Sequence, residues 1–166
     1  MDANKLREIQ EPIKARYREE PASALVTLKA TARTGEGITC KIETGKSILA
    51  AGLHPATGGD GLTLCSGDML LEALAACAGV TLKAVATAIE LEMEEAIVEA
   101  EGDLDFRGTL SVDKNAPVGF KEIRLHFDIR SSESSDKIAT LIKLTERYCI
   151  VYQTLRQANA VAVTVN

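Results

Sequence analysis

Apolar and polar positions recur along this chain at two periods. Over residues 4–20, Leu6, Ile9, Ile13 and Tyr17 fall at helical spacing with charges between them, which predicts an amphipathic helix. Pro21 ends it. The period then shortens to two. Leu25, Thr27 and Lys29 alternate with Val26, Leu28 and Ala30, and TARTGEG (31–37) reads as a turn. Residues 37–44 and 47–51 read as two more short strands joined at Gly45. GLHPATGGDGLTLCSG, residues 52–67, is a Gly-rich loop, and loops this long inside a compact domain often carry function.

Residues 68–91, DMLLEALAACAGVTLKAVATAIEL, are apolar almost all round. Leu70, Leu71, Leu74, Val80, Leu82, Val85 and Ile89 share no single stripe, so the segment predicts a helix buried on every side. Its length would suit a bilayer, but Asp68, Glu72 and Lys83 interrupt it, and a central core helix is the reading. A strand pattern resumes over 94–106, with an extension at 109–112. After the KNAPVGF loop, residues 121–130 alternate with Ile123, Leu125, Phe127 and Ile129 on one face, the mark of a half-solvated antiparallel strand. Ser131, Ser132, Ser134 and Ser135 offer N-caps for a helix carrying Ile138, Leu141, Ile142 and Thr145 on one face. A second short helix, 149–157, starts near Cys149, and AVAVTV closes the chain as a strand. This order is α+β with mostly antiparallel sheet. A helix apolar on all sides is hard to cover in so small a domain, which predicts an obligate dimer.

Composition narrows the chemistry. The 166 residues suit one ordinary domain, 1–166. With 46% apolar and 26% charged residues the chain is globular, and with no Trp its core must be aliphatic. A net charge of −5 without a basic stripe argues against nucleic acid. MDANKLREIQEP lacks the apolar core of a signal peptide, so a cytoplasmic setting is expected, where thiols stay reduced unless they are catalytic. No two of Cys40, Cys65, Cys77 and Cys149 have CxxC spacing, and His54 and His126 fit no ligand pattern, so no metal or other cofactor is expected. There is no GxSxG elbow and no GxxxxGK[ST] loop, and GGDG at 58–61 lacks a nucleotide-binding context. Thiols remain.

Cys77, in the middle of the apolar helix, would pack as a small hydrophobe unless another element brought a cation to it. Cys149 lies where one helix ends and another starts. Backbone N–H groups there lower a thiol pKa, and Arg147 is two residues away, although Tyr148, Ile150 and Val151 equally suit packing. Cys65 precedes the N-cap candidate Ser66, and Cys40 sits in the strand pattern ITCKI.

SGDMLLEALAACAGVTLKAVA resembles the central-helix signature of the OsmC/Ohr family, the osmotically inducible and organic hydroperoxide resistance proteins. TERYCIVYQTL is similar to the segment bearing that family's second cysteine. The resemblance covers residues 23–166, with 1–22 as an N-terminal helical extension. It implies an OsmC-like fold, mostly antiparallel sheets around a long buried central helix in an intertwined homodimer. It implies a peroxidase in which Cys77 attacks an organic hydroperoxide, Cys149 resolves the sulfenic acid to a disulfide, and a dithiol reductant restores the pair, with no nucleic acid and no membrane involved. Three positions depart from the family pattern. Gly67 stands where the family carries a Glu. The activating arginine maps onto Arg33 in TARTGEG, with Arg18 and Arg147 as alternatives. Ile150 replaces a Pro after the second cysteine. The competing readings are a dimer of the same fold without peroxidase turnover, serving as a small-molecule binding or stress-response protein, and a thiol chemistry with Cys65 as resolver. His54 is a further candidate donor.

Overall fold

The computed structural model describes residues 2–24, 31–34, 39–43 and 48–165, with backbone alone for Pro21, for 31–34, for 39–43 and for Ile48. They fall into two compact units, one of residues 13–72 and 100–124, the other of residues 1–12, 73–99 and 125–166.

In the first unit, β1 (Thr31–Thr34), β2 (Thr39–Glu43) and β3 (Ile48–Gly52) form an antiparallel meander, and β4 (Leu64–Cys65) adds in parallel beside β3. The segment TARTGEG is therefore not a turn over its first four residues. Arg33 lies in β1 opposite Lys41. The strand expected over 25–30 and the turn at Gly45 lie outside the described residues, as does the Arg33 side chain.

The long loop is held by its own turns. His54 caps a short 3₁₀ turn, Pro55–Thr57, with Nδ1 accepting from the Ala56 N–H at 3.0 Å. Gly59 packs so tightly on Leu53 that a Cβ there would stand 1.8 Å from the Leu53 carbonyl oxygen. The strand extension expected at 109–112 does not form: Thr109 ends a helical turn, α3 (Phe106–Thr109), and residues 110–112 follow as turn and bend. Asp105 starts it by accepting from the Arg107 N–H. The Arg107 guanidinium, 2.6 Å away, holds the Asp105 carboxyl down to about 2.

The second unit carries the core. The central helix α2 runs over Ser66–Ala88, starting two residues earlier than the pattern predicts. Within this unit Leu82, Val85 and Ala86 of α2 pack with Leu91 and with Leu141 of α4 (Ser135–Tyr148). Val98 of β5 (Glu95–Leu104) and Phe127 and Ile129 of β6 (Phe120–Arg130) cover that cluster. Burying each large aliphatic contributes roughly 1.5–3 kcal/mol. Helix α4 starts where expected: the Ser134 side chain accepts from the Lys137 N–H, with Asp136 in the first turn and Arg147 in the last to complement the helix dipole.

In a single chain two expectations are not met. By length and composition α2 is apolar enough to cross a membrane, yet it is not buried on every side. Leu74, Ala78, Leu82, Val85 and Ala86 are buried, while Val80 is 73% exposed. A single chain covers one face of this helix only. AVAVTV forms no strand either. Val161, Val163 and Val165 alternate as a strand would, but no strand pairs with them among the described residues, and Val165 is 93% exposed. The N-terminal helix α1 (Ala3–Glu19) forms at its expected place, with none of its residues buried.

Candidate functional site

The site lies in the second unit, at a break between two helices. Helix α4 ends at Tyr148 and α5 (Ile150–Arg156) begins two residues later. Cys149 stands between them in an extended conformation, φ −73° and ψ 109°, closing one helix and opening the next. Its N–H donates to the Thr145 carbonyl at 2.9 Å, and its carbonyl accepts from the Gln153 N–H at 2.9 Å. The Gln153 amide donates to the Glu146 carbonyl at 2.7 Å and so bridges the break. The first N–H groups of a helix have no partner within it. The break therefore leaves the Ile150, Val151 and Tyr152 N–H groups free to serve sulfur.

Two sulfurs use them. Cys77, half-buried on α2, meets Cys149, which is 1% exposed. Burial raises the Cys77 thiol, but hydrogen bonds from the Val151 N–H, the Cys149 thiol, the Ile150 N–H and the Thr81 hydroxyl outweigh it and bring the pKa below the ordinary value. Cys149 moves the opposite way. Burial pushes it up, and the neighbouring Cys77 adds to the rise against the Tyr152 and Val151 N–H groups. The sequence reading gave the helix start to Cys149. The Val151 and Ile150 N–H groups lower the Cys77 thiol as well, and desolvation dominates at the more deeply buried Cys149. Among the described residues the groups acting on the Cys77 sulfur are neutral donors, and the Arg33 side chain expected to activate it lies outside them. Both thiols are free, and at one contact a low-pKa thiol meets a high-pKa thiol, which is the arrangement needed for one sulfur to attack and the other to follow.

The remaining candidates are placed as follows. The side chain of Arg33 lies outside the described residues, and its backbone belongs to the first unit. Arg18 sits in the last turn of α1. Arg147 is exposed and stacks over the Tyr148 ring at 5.5 Å. Gly67 opens α2 in apolar surroundings, where an added Cβ would touch Leu104 and Phe120, each at 3.5 Å. Cys65 lies 3.6 Å from that same point. The His54 ring caps its turn and stacks on Phe106 at 4.9 Å. Among the described residues no cluster of His, Cys, Asp and Glu could hold a metal ion. Residue reasoning missed Thr81 and the Ile150 and Val151 N–H groups. Thr81 was legible as the residue one helical turn beyond Cys77. The N–H groups had no side-chain signal.

A cleft of 350 Å³ opens beside Cys149, lined by Arg147, Tyr148, Gln153 and Asn159 among others. A larger one of 580 Å³, lined by Lys83, Glu90, Glu92 and Glu94, contains no cysteine.

A family model described as OsmC-like protein matches residues 58–165, which include both cysteines. No curated protein matches. Solved structures share the fold at low identity. An OsmC-like protein from Mycoplasma pneumoniae is 21% identical with a TM-score of 0.67, over 79% of this chain and 88% of that one. An organic hydroperoxide resistance protein from Elizabethkingia anophelis is 19% identical with a TM-score of 0.65, over 80% and 90% of the two chains. The organic hydroperoxide resistance protein OsmC from Legionella pneumophila is 21% identical with a TM-score of 0.63, over 80% and 91%.

Proposed function

The chain belongs to the OsmC-like family, and from that premise we propose that it is a thiol peroxidase that reduces organic hydroperoxides with Cys77 and Cys149. The observation that carries this reading is the contact between the two thiols, with the pKa of Cys77 lowered and that of Cys149 raised. The Cys77 thiolate attacks the terminal oxygen of ROOH. An S–O bond forms, the O–O bond breaks, and RO⁻ leaves to take a proton as the alcohol. Cys77 is then a sulfenic acid. The Cys149 sulfur attacks the Cys77 sulfur, an S–S bond forms, and the hydroxyl leaves with the Cys149 proton as water. A dithiol reduces the disulfide by two exchange steps and is itself oxidised to a disulfide. The cleft beside Cys149 is the proposed entry for that reductant. The aliphatic setting of Cys77 favours an apolar peroxide over hydrogen peroxide, a homodimer supplies the missing cover for α2, and a reducing, cytoplasmic compartment suits the cycle.

Reduced protein given cumene hydroperoxide and a dithiol is expected to consume peroxide and produce the alcohol one for one. Cys77→Ser abolishes this, and Cys149→Ser limits it to about one turnover. Peroxide left unconsumed by the reduced chain would sink the reading.

A second reading is favoured by Gly67, which stands where the family carries a Glu: a dimer of this fold that binds a small molecule without turnover. It requires Cys77 to titrate at or above the ordinary thiol range, whereas the peroxidase requires a lower midpoint.

A further inference from the structure

We propose that the cleft beside Cys149 is an anion-recognition site for the reductant, in which the Arg147 guanidinium receives a carboxylate on the thiol that reopens the Cys77–Cys149 disulfide. The inference rests on the reading of the two cysteines as a redox pair, and it names the charge class of the molecule that restores them.

The cleft is built at one joint of the chain. Its walls come from the last turn of α4, from Cys149, from α5 and from the segment after it, all within the second unit. Its 350 Å³ stands at the small end of small-molecule sites, roughly 300–1,000 Å³. The charge of its lining is opposite to that of the chain. The protein has 24 acidic and 19 basic residues and a net charge of −5. Among the described residues that line this cleft, Arg147 is the one charged side chain. The 580 Å³ cleft is the contrast, with Asp2, Glu90, Glu92 and Glu94 set against Lys83. An anion is attracted to the first cleft and repelled by the second.

Hydrogen bonding decides which groups are left for a ligand. The Gln153 amide donates to the Glu146 carbonyl at 2.7 Å. The Asn159 amide donates to the Thr154 and Gln157 carbonyls at 2.7 and 3.0 Å. The Thr154 hydroxyl donates to the Ile150 carbonyl at 2.8 Å. These donors are spent on the backbone and fix the wall. Arg147 is held in another way, by its face, 5.5 Å from the centre of the Tyr148 ring. Stacking uses the plane of a guanidinium and leaves its N–H edge open. Among the described residues no carboxylate pairs with that edge. A guanidinium edge matches a carboxylate through two parallel hydrogen bonds. The cleft thus offers a carboxylate a held and unspent partner two residues from Cys149.

The exchange is balanced. A reductant thiolate attacks the disulfide, a mixed disulfide forms, and one protein sulfur leaves as a thiolate. A second reductant thiol displaces the other protein sulfur. Two electrons pass to the protein pair, the reductant ends as a disulfide, and its two protons end on the two protein thiols.

The test oxidises the full chain with diamide, so that no peroxide is needed. The disulfide is then reduced at low ionic strength by mercaptopropionate, mercaptoethanol or cysteamine, which differ in charge. Each rate is taken as a ratio of variant to reference chain, which cancels the intrinsic reactivity of each thiol. Arg147→Gln is expected to slow mercaptopropionate about fivefold relative to mercaptoethanol, the size of one exposed ion pair, and to shift cysteamine the other way. Arg147→Lys keeps the charge without the fork and is expected to recover part of the loss. Molar salt, with a screening length of about 3 Å, is expected to erase the difference. All three thiols slowed alike, as loss of an arginine that only activated Cys77 would do, overturns the inference. An unchanged mercaptopropionate ratio, or no Cys77–Cys149 disulfide after diamide, overturns it too. The two readings fail separately. Charge selection in a chain that consumes no peroxide keeps the site and removes the peroxidase. Peroxide turnover without charge selection removes the site alone.

Discussion

At the scale of single residues, the site is a competition between desolvation and hydrogen bonding. Cys77 is half-buried and gains donors from two elements, so its charged form is favoured. Cys149 is fully buried and its charged form is not. The sign of the pH dependence follows. The Cys77 thiolate fraction rises with pH through a midpoint below the ordinary thiol range, so the rate of its reaction with peroxide should climb with its midpoint there. A midpoint at or above 9.0 would contradict this. Linkage adds a stability term. The stabilisation from ionised Cys77 is present at alkaline pH and is lost as pH falls through its lowered pKa, while buried Cys149 works against the fold as pH rises through the unfolded thiol range. The pair of cysteines was legible through the family resemblance of their two segments. The direction of each shift was not, because it depends on which sulfur the α5 N–H groups reach and on how deeply each is buried. Neither is written in local sequence.

At the scale of elements, the pattern located α1, α2, β2, β3, β5, β6, α4 and α5 to within a few residues, because each carries a sustained apolar period or a capping residue. It failed where local chemistry outranked the period. Asp105 draws the chain into α3 by capping it, and TARTGEG pairs across from β2 over its first four residues despite its turn-like composition. Helix α4 offers two measurements of what positions Cys149. Ser134→Ala removes the acceptor for the Lys137 N–H and should cost about 1 kcal/mol in denaturant unfolding. Leu141→Ala hollows the cluster formed with Leu82, Val85, Ala86 and Leu91 and should cost about 2–5 kcal/mol. If the alanine at 141 cost no more than the one at 134, the cluster would not be the core that holds α4.

At the scale of the whole molecule, the uncovered apolar surface is the unresolved demand of the sequence. Val80 on α2, Ile150 at the start of α5 and the alternating valines 161, 163 and 165 are all left exposed by a single chain. Their strand-like alternation and their apolar character call for a second copy, and light scattering on the purified protein should return twice the 17.8 kDa of one chain. A monomer at micromolar concentration would contradict that expectation without touching the thiol chemistry. The reactivity of Cys77 with Cys149 is open to one direct measurement. Reduced protein is titrated with one equivalent of cumene hydroperoxide, and its disulfides are mapped by mass spectrometry. The expected product is a Cys77–Cys149 disulfide formed in proportion to the alcohol released, with Cys40 and Cys65 left as thiols. Cys77 and Cys149 still reduced under excess peroxide, or Cys77 joined to Cys65, would contradict it.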